Sequence, residues 1–203
     1  MPLKPVLFIT VPNVSLFMRK AKDATGLSLG ASFVAGAVNR AGFSIDYFDF
    51  NMALNRMLEW DLTPGHVVDC LSDPEKFAAF YHGLESNVIL DKWLSDLLGL
   101  VPPDREYLAI CFSWDRRDSV NIVNKAGFSF ALLLARELKK RHRAPVIAGG
   151  QKALEAIGGY FVDTVLKAVG KSPIDRIAWH PVYFSLGNTC SFCATAFPAT
   201  LRS

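Results

Sequence analysis

Ala144-Pro-Val-Ile-Ala-Gly-Gly150 decides the fold. An apolar run of strand length follows a helix with a basic end and closes on two glycines. Such a strand sets bare main chain at the carboxyl edge of a sheet, where open parallel sheets take their ligands. Three other apolar runs can pair with it: Val6–Thr10, Ser44–Phe48 and Tyr107–Phe112. A fifth, Ile174–Ala178, reads as an edge strand. Helical patterns separate the runs. Phe33, Val34, Ala37 and Val38 share one face and end at Gly42, a residue suited to a helix C′ position. Phe130, Leu133, Leu134 and Leu138 mark a buried face within 119–141. Strands alternating with helices predict an α/β fold: a doubly wound parallel sheet of about five strands.

Residues 52–100 interrupt that alternation with further helix. Thr63-Pro64 and Asp73-Pro74 each read as a cap followed by proline in the first turn. Ile89, Trp93, Leu94 and Leu97 give a third amphipathic stretch. The expected organisation is a domain over 1–180 with a helical insertion at about 52–100, and a tail at 181–203.

Composition narrows the classes. The chain has 203 residues, 51% of them hydrophobic, and a net charge of +3. Mean hydropathy is +0.22. A folded core is affordable at this length, and disorder is excluded. No window offers the roughly 18 uninterrupted apolar residues of a membrane span. The first residues lack the pattern of a signal peptide, so a cytoplasmic location without membrane attachment is the expectation. Basic residues concentrate in Arg136-Glu-Leu-Lys-Lys-Arg-His-Arg143. Cations at a helix C-terminus complement the dipole, and no aromatic interleaving points to nucleic acid. His66, His82, His142 and His180 stand in no ligand-like context and read as structural or surface residues. Phosphate loops and the serine elbow of hydrolases are absent from the sequence.

Four stretches, in this order, carry a resemblance. They are Pro5-Val-Leu-Phe-Ile-Thr-Val-Pro-Asn13; Gly26 to Phe43 with the following strand to Asp49-Phe-Asn51; Leu108-Ala-Ile-Cys-Phe-Ser113; and Ala144-Pro-Val-Ile-Ala-Gly-Gly-Gln-Lys-Ala153. Together they resemble the N-terminal cobalamin-binding domain of cobalamin-dependent radical S-adenosylmethionine enzymes, over roughly residues 5–180. The resemblance implies a flavodoxin-like (Rossmann-like) sheet with cobalamin held over the carboxyl ends of its strands. It puts Pro12 and Asn13 in the first loop, Asp49 and Asn51 in the second, and Ser113 and Trp114 in the third. Gly149 and Gly150 would admit the nucleotide tail to the main chain. Read without the resemblance, Asp49, Asn51 and Ser113 are equally at home as helix caps, and the two glycines as a turn. The Asp-x-His-x-x-Gly motif of classical cobalamin methyltransferases is missing, which argues against a histidine lower ligand.

Cys190-Ser-Phe-Cys193 matches the last two positions of the radical family's C-x-x-x-C-x-x-C cluster motif, but residue 186 is leucine. Cys190 and Cys193 are candidate metal ligands that do not complete a 4Fe–4S cluster. A metal or intersubunit site and a redox pair are the other readings. The resemblance thus implies a module cut off before the radical barrel, without catalytic residues of its own. Its partner would be a radical S-adenosylmethionine protein or a second copy of the chain. The competing expectation is a non-enzymatic interaction or dimerisation module that has lost the cofactor, docking through the apolar helices of 52–100.

Overall fold

The structure is a computed structural model and describes residues 4–12, 29–57, 65–114, 121–151 and 159–180. Five strands form one parallel sheet: β1 (Val6–Thr10), β2 (Ile45–Asp49), β3 (Ala109–Trp114), β4 (Val146–Gln151) and β5 (Arg176–His180). Their spatial order is β2-β1-β3-β4-β5, the flavodoxin-like winding. Seven helices are described: α1 (Leu29–Arg40), α2 (Phe50–Met57), α3 (Gly65–Ser72), α4 (Pro74–Tyr81), α5 (Val88–Gly99), α6 (Asn121–His142) and α7 (Gly159–Val169).

Strand alternation sorts the core into two layers. Leu7, Ile9, Ile110, Phe112, Val146 and Ala148 face α2 to α7 and join one large cluster. Val6, Phe8, Ala109, Cys111 and Ile147 face the other way, with Val38 of α1. The helices between β2 and β3 therefore share the sheet's own core. Leu54, Val67, Leu71, Phe77, Leu90 and Leu97 are all buried there. Cutting Phe112 or Leu97 back to alanine would cost about 2–5 kcal/mol of stability. The apolar faces expected to serve for docking are the ones packed inward. Among the described residues of 52–100, Leu84, Val88 and Leu100 are the large apolar side chains left exposed.

Local chemistry sets the helix ends. Gly42 follows α1 with φ 91°, a left-handed value open to glycine. Its N–H bonds to the Asn39 carbonyl, and Phe43 N–H to the Val38 carbonyl. That is a Schellman stop, and Phe43 packs back with Val38. Asp73 caps α4, its carboxylate accepting from the N–H groups of Glu75 and Lys76, with Pro74 in the first turn. At the end of α6 the same left-handed turn falls on Arg143, at φ 49°.

The basic end of α6 is internally engaged. Lys139 pairs with Asp175, and Lys140 and Arg136 with Glu137. Arg141 donates to the Leu98 carbonyl at 2.9 Å. Arg136 lies over the Tyr81 ring, 4.5 Å from its centroid, and donates to the Tyr81 carbonyl. No helix among the described residues is long and apolar enough to cross a membrane.

Strands β3, β4 and β5 run further than their apolar runs. β3 continues through Ser113 and Trp114, and β4 through Gly149, Gly150 and Gln151. β5 covers Arg176–His180 rather than Ile174–Ala178. The ladder explains the extension, since Ser113 pairs with Gly149 and Trp114 with Gly150. Pairing on both sides holds Ser113, Gly149 and Gly150, which have little strand preference of their own.

Candidate functional site

Parallel register brings the expected residues into line. Asp49 pairs with Thr10, Thr10 with Ser113, Ser113 with Gly149, and Gly149 with Ala178. One transverse row therefore crosses all five strands near the carboxyl edge. Trp114, Gly150 and Trp179 form the next row, and Gln151 with His180 the last. In this strand order the chain reverses direction across the sheet between β1 and β3, where doubly wound sheets bind ligands. Thr10 and Ser113 stand side by side at that point.

The residues assigned to loops divide between elements. Pro12 lies buried, two residues past the end of β1. Ser113 and Trp114 are the last two residues of β3, so they belong to the sheet and not to a third loop. Gly149 and Gly150 likewise sit within β4 and do not end it. Asp49 is the last residue of β2 and Asn51 the second of α2, which leaves no loop between them. Asp49 caps α2 by accepting the Met52 N–H at 3.0 Å, as an aspartate at this position does. Asn13, Cys190 and Cys193 lie outside the described residues.

Polar side chains on the row are fixed in part by each other. The Thr10 hydroxyl lies 2.7 Å from the Tyr47 hydroxyl. Tyr47 stacks on Phe8, with ring centroids 5.9 Å apart, which orients its phenol toward the edge. The Thr10–Tyr47 pair escapes sequence reasoning because 37 residues separate the partners. Ser113 is 8% exposed, and its carbonyl accepts the Val11 N–H at 2.9 Å. That bond carries the β1–β3 ladder one step beyond the strand. Pro12 is held from above: a Cβ added to Gly127 of α6 would lie 3.4 Å from the Pro12 carbonyl oxygen. Helix α6 thus closes on the first loop at a glycine.

Parallel connection aims the N-termini of α1, α6 and α7 at this same edge, which favours negative charge there. At the start of α6 and α7, Lys125 Nζ lies 5.2 Å from the Phe161 ring centroid. Tyr160 beside it is 87% exposed.

Thiol chemistry has no foothold among the described residues. Burial pushes the Cys111 thiol upward, inside β3. Burial, then the charges of Glu85 and Asp69, raise Cys70 as well. Both stay thiols at neutral pH and are weak nucleophiles. Among the described residues no three His, Cys, Asp or Glu side chains group closely enough to hold a metal ion.

No family model, no curated protein and no solved structure matches this chain.

Proposed function

We propose that this chain is a corrinoid-binding module that holds a cobalamin across the carboxyl edge of its sheet. The observation that carries the reading is the row Thr10–Ser113–Gly149–Ala178. Across four adjacent strands it offers only small residues, two of them with hydroxyls. A large flat ligand needs main chain within reach and a few polar groups to orient it. The order of the four family-like stretches supports the same reading, as does the flavodoxin-like strand order.

In this proposal Gly149 and Gly150 admit the ligand to the main chain of β4. The Thr10–Tyr47 hydroxyl pair and Ser113 orient its polar periphery. Pro12, backed by Gly127, forms one wall. Bound cobalamin supplies a transferable methyl group. The chain's own residues bind and orient. A radical S-adenosylmethionine partner, or the barrel of such a protein, performs the radical step. The cytoplasm is the compartment we assign. Nucleic acid is not invoked as a partner, since Arg136, Lys139, Lys140 and Arg141 have protein partners.

Absorbance titration of anaerobically purified protein with hydroxocobalamin and methylcobalamin tests the proposal. Saturable binding is expected. Gly149→Val or Gly150→Val should weaken it by about tenfold or more, a loss of about 1.4 kcal/mol, with the far-UV circular dichroism unchanged. Absence of binding at high micromolar cobalamin overturns it.

A further inference from the structure

The carboxyl edge has two chemically different sides. Val6 and Phe8 of β1, and Ala109 and Cys111 of β3, face the side of α1 and pack with Val38. Side chains alternate along a strand, so Thr10 and Ser113 stand on that side as well. Both hydroxyls of the transverse row therefore lie on the α1 side. Ile9 and Phe112, the residues just before them, present only hydrocarbon to the other. Tyr47 of the edge strand β2 also packs on the α1 side. It pairs in register with Phe8, two residues before Thr10. Its ring lies on Phe8 with the planes at 28°, and its phenol reaches diagonally to the Thr10 hydroxyl.

We propose that a ligand on this edge is read from the α1 side, with Tyr47 as the positioning residue. Tyr47 holds Thr10 so that the Thr10 hydroxyl hydrogen is offered to an acceptor oxygen of the ligand. The inference rests on the corrinoid reading above. In the 2.7 Å contact either hydroxyl can donate. A phenol is more acidic than an aliphatic alcohol and is the better donor, so Tyr47 donates and Thr10 Oγ1 accepts. Thr10 keeps its own hydrogen, which has no second partner among the described residues. At 2% exposure Thr10 has almost no water to give it to. Leaving a buried polar hydrogen unpaired is costly, and a ligand oxygen removes that cost. The β-branch of Thr10 restricts χ1, and the bond from β2 selects among the rotamers that remain. Tyr47 acts through Thr10 and does not itself touch the ligand. Cobalamin offers acceptor oxygens on its peripheral carboxamides and on the phosphodiester of its nucleotide loop.

Methylcobalamin titration of four full-length proteins tests the inference: wild type, Tyr47→Phe, Thr10→Val and the double variant. Tyr47→Phe keeps the ring on Phe8 and removes only the hydroxyl. Thr10→Val keeps the shape of the side chain. Each single change should weaken binding by about three- to tenfold, and the double variant should bind no worse than the weaker single one. If Tyr47→Phe weakens binding equally in the Thr10→Val background, Tyr47 acts only through the fold, and the inference is overturned. Unchanged affinity in Tyr47→Phe overturns it too, and leaves the corrinoid reading standing. A wild type that binds no cobalamin removes both. Urea midpoints measured alongside separate aim from stability: a midpoint loss with no affinity loss counts against the inference. The same cycle with cobinamide, which keeps the carboxamides and lacks the phosphodiester, names the oxygen. Coupling between the two positions that persists assigns a carboxamide, and coupling that vanishes assigns the phosphate; either supports the role of Tyr47.

Discussion

Asp175 and Val146 are bonded twice. The Asp175 N–H donates to the Val146 carbonyl at 2.8 Å, and the Val146 N–H donates to the Asp175 carboxylate at 2.7 Å. The double bond pins the entry of β5 to the first residue of β4. From that point the register runs to Gly149–Ala178 and Gly150–Trp179. Asp175→Ala should leave the Val146 N–H unpaired and lower stability by about 1–2 kcal/mol. Asp175→Asn, which keeps one acceptor, should lose less. Urea midpoints of the three proteins check the ranking.

Acid should weaken the same joint. At Asp175 burial raises the carboxyl, but the bonds from Lys139 and the Val146 N–H outweigh it and hold it below its ordinary 3.8. At Glu137 burial also raises, and the bonds from Lys140 and Arg136 prevail, below the ordinary 4.5. Both carboxylates take up protons more readily in the unfolded chain. Their contribution is complete above those ordinary values and fades as pH falls through the lower, folded ones. A series of urea midpoints from neutral pH down to about 3 should show this decline. Glu137→Gln together with Asp175→Asn should flatten it, and an unchanged slope would refute the assignment.

Gly127 separates two outcomes by size. A single methyl would lie 3.4 Å from the Pro12 carbonyl, an ordinary contact. Gly127→Ala should therefore be neutral or stabilise by up to about 1 kcal/mol, the usual gain inside a helix. Branched Gly127→Val should push the first loop away from the sheet. Cobalamin affinity should fall in the valine variant and hold in the alanine variant, measured in the same titration.

Arg143→Gly should stabilise the protein. Its φ of 49° is a turn at which an L side chain is strained and glycine is not. A gain of about 0.5–1 kcal/mol is expected in thermal or chemical unfolding. The residue's backbone N–H bond to the Lys139 carbonyl survives the change.

The sequence's legibility followed the range of each interaction. Gly42 and Asp73-Pro74 were readable because their partners lie within one turn. The strand order agrees with the alternation of strands and helices. Strand ends were less legible: Ser113, Gly149 and Gly150 have little strand preference and are extended by their neighbours in the ladder. Helical periodicity in 52–100 told which sides were apolar, but not that the sheet's core would cover them. In the candidate site, Asp49 was legible both as a site residue and as a cap, and the cap is what the Met52 bond displays. Thr10 drew no notice, since a threonine closing a strand is ordinary until Tyr47 arrives from β2.

Asp49 ends β2 and caps α2 in the same residue. Strand and helix are thereby welded, with no slack between them. Any reshaping of this edge around a guest meets, at this corner, an anvil. Variants that insert residues between Asp49 and Phe50 would turn a fixed stop into a hinge, and fitting a guest would then begin by immobilising it.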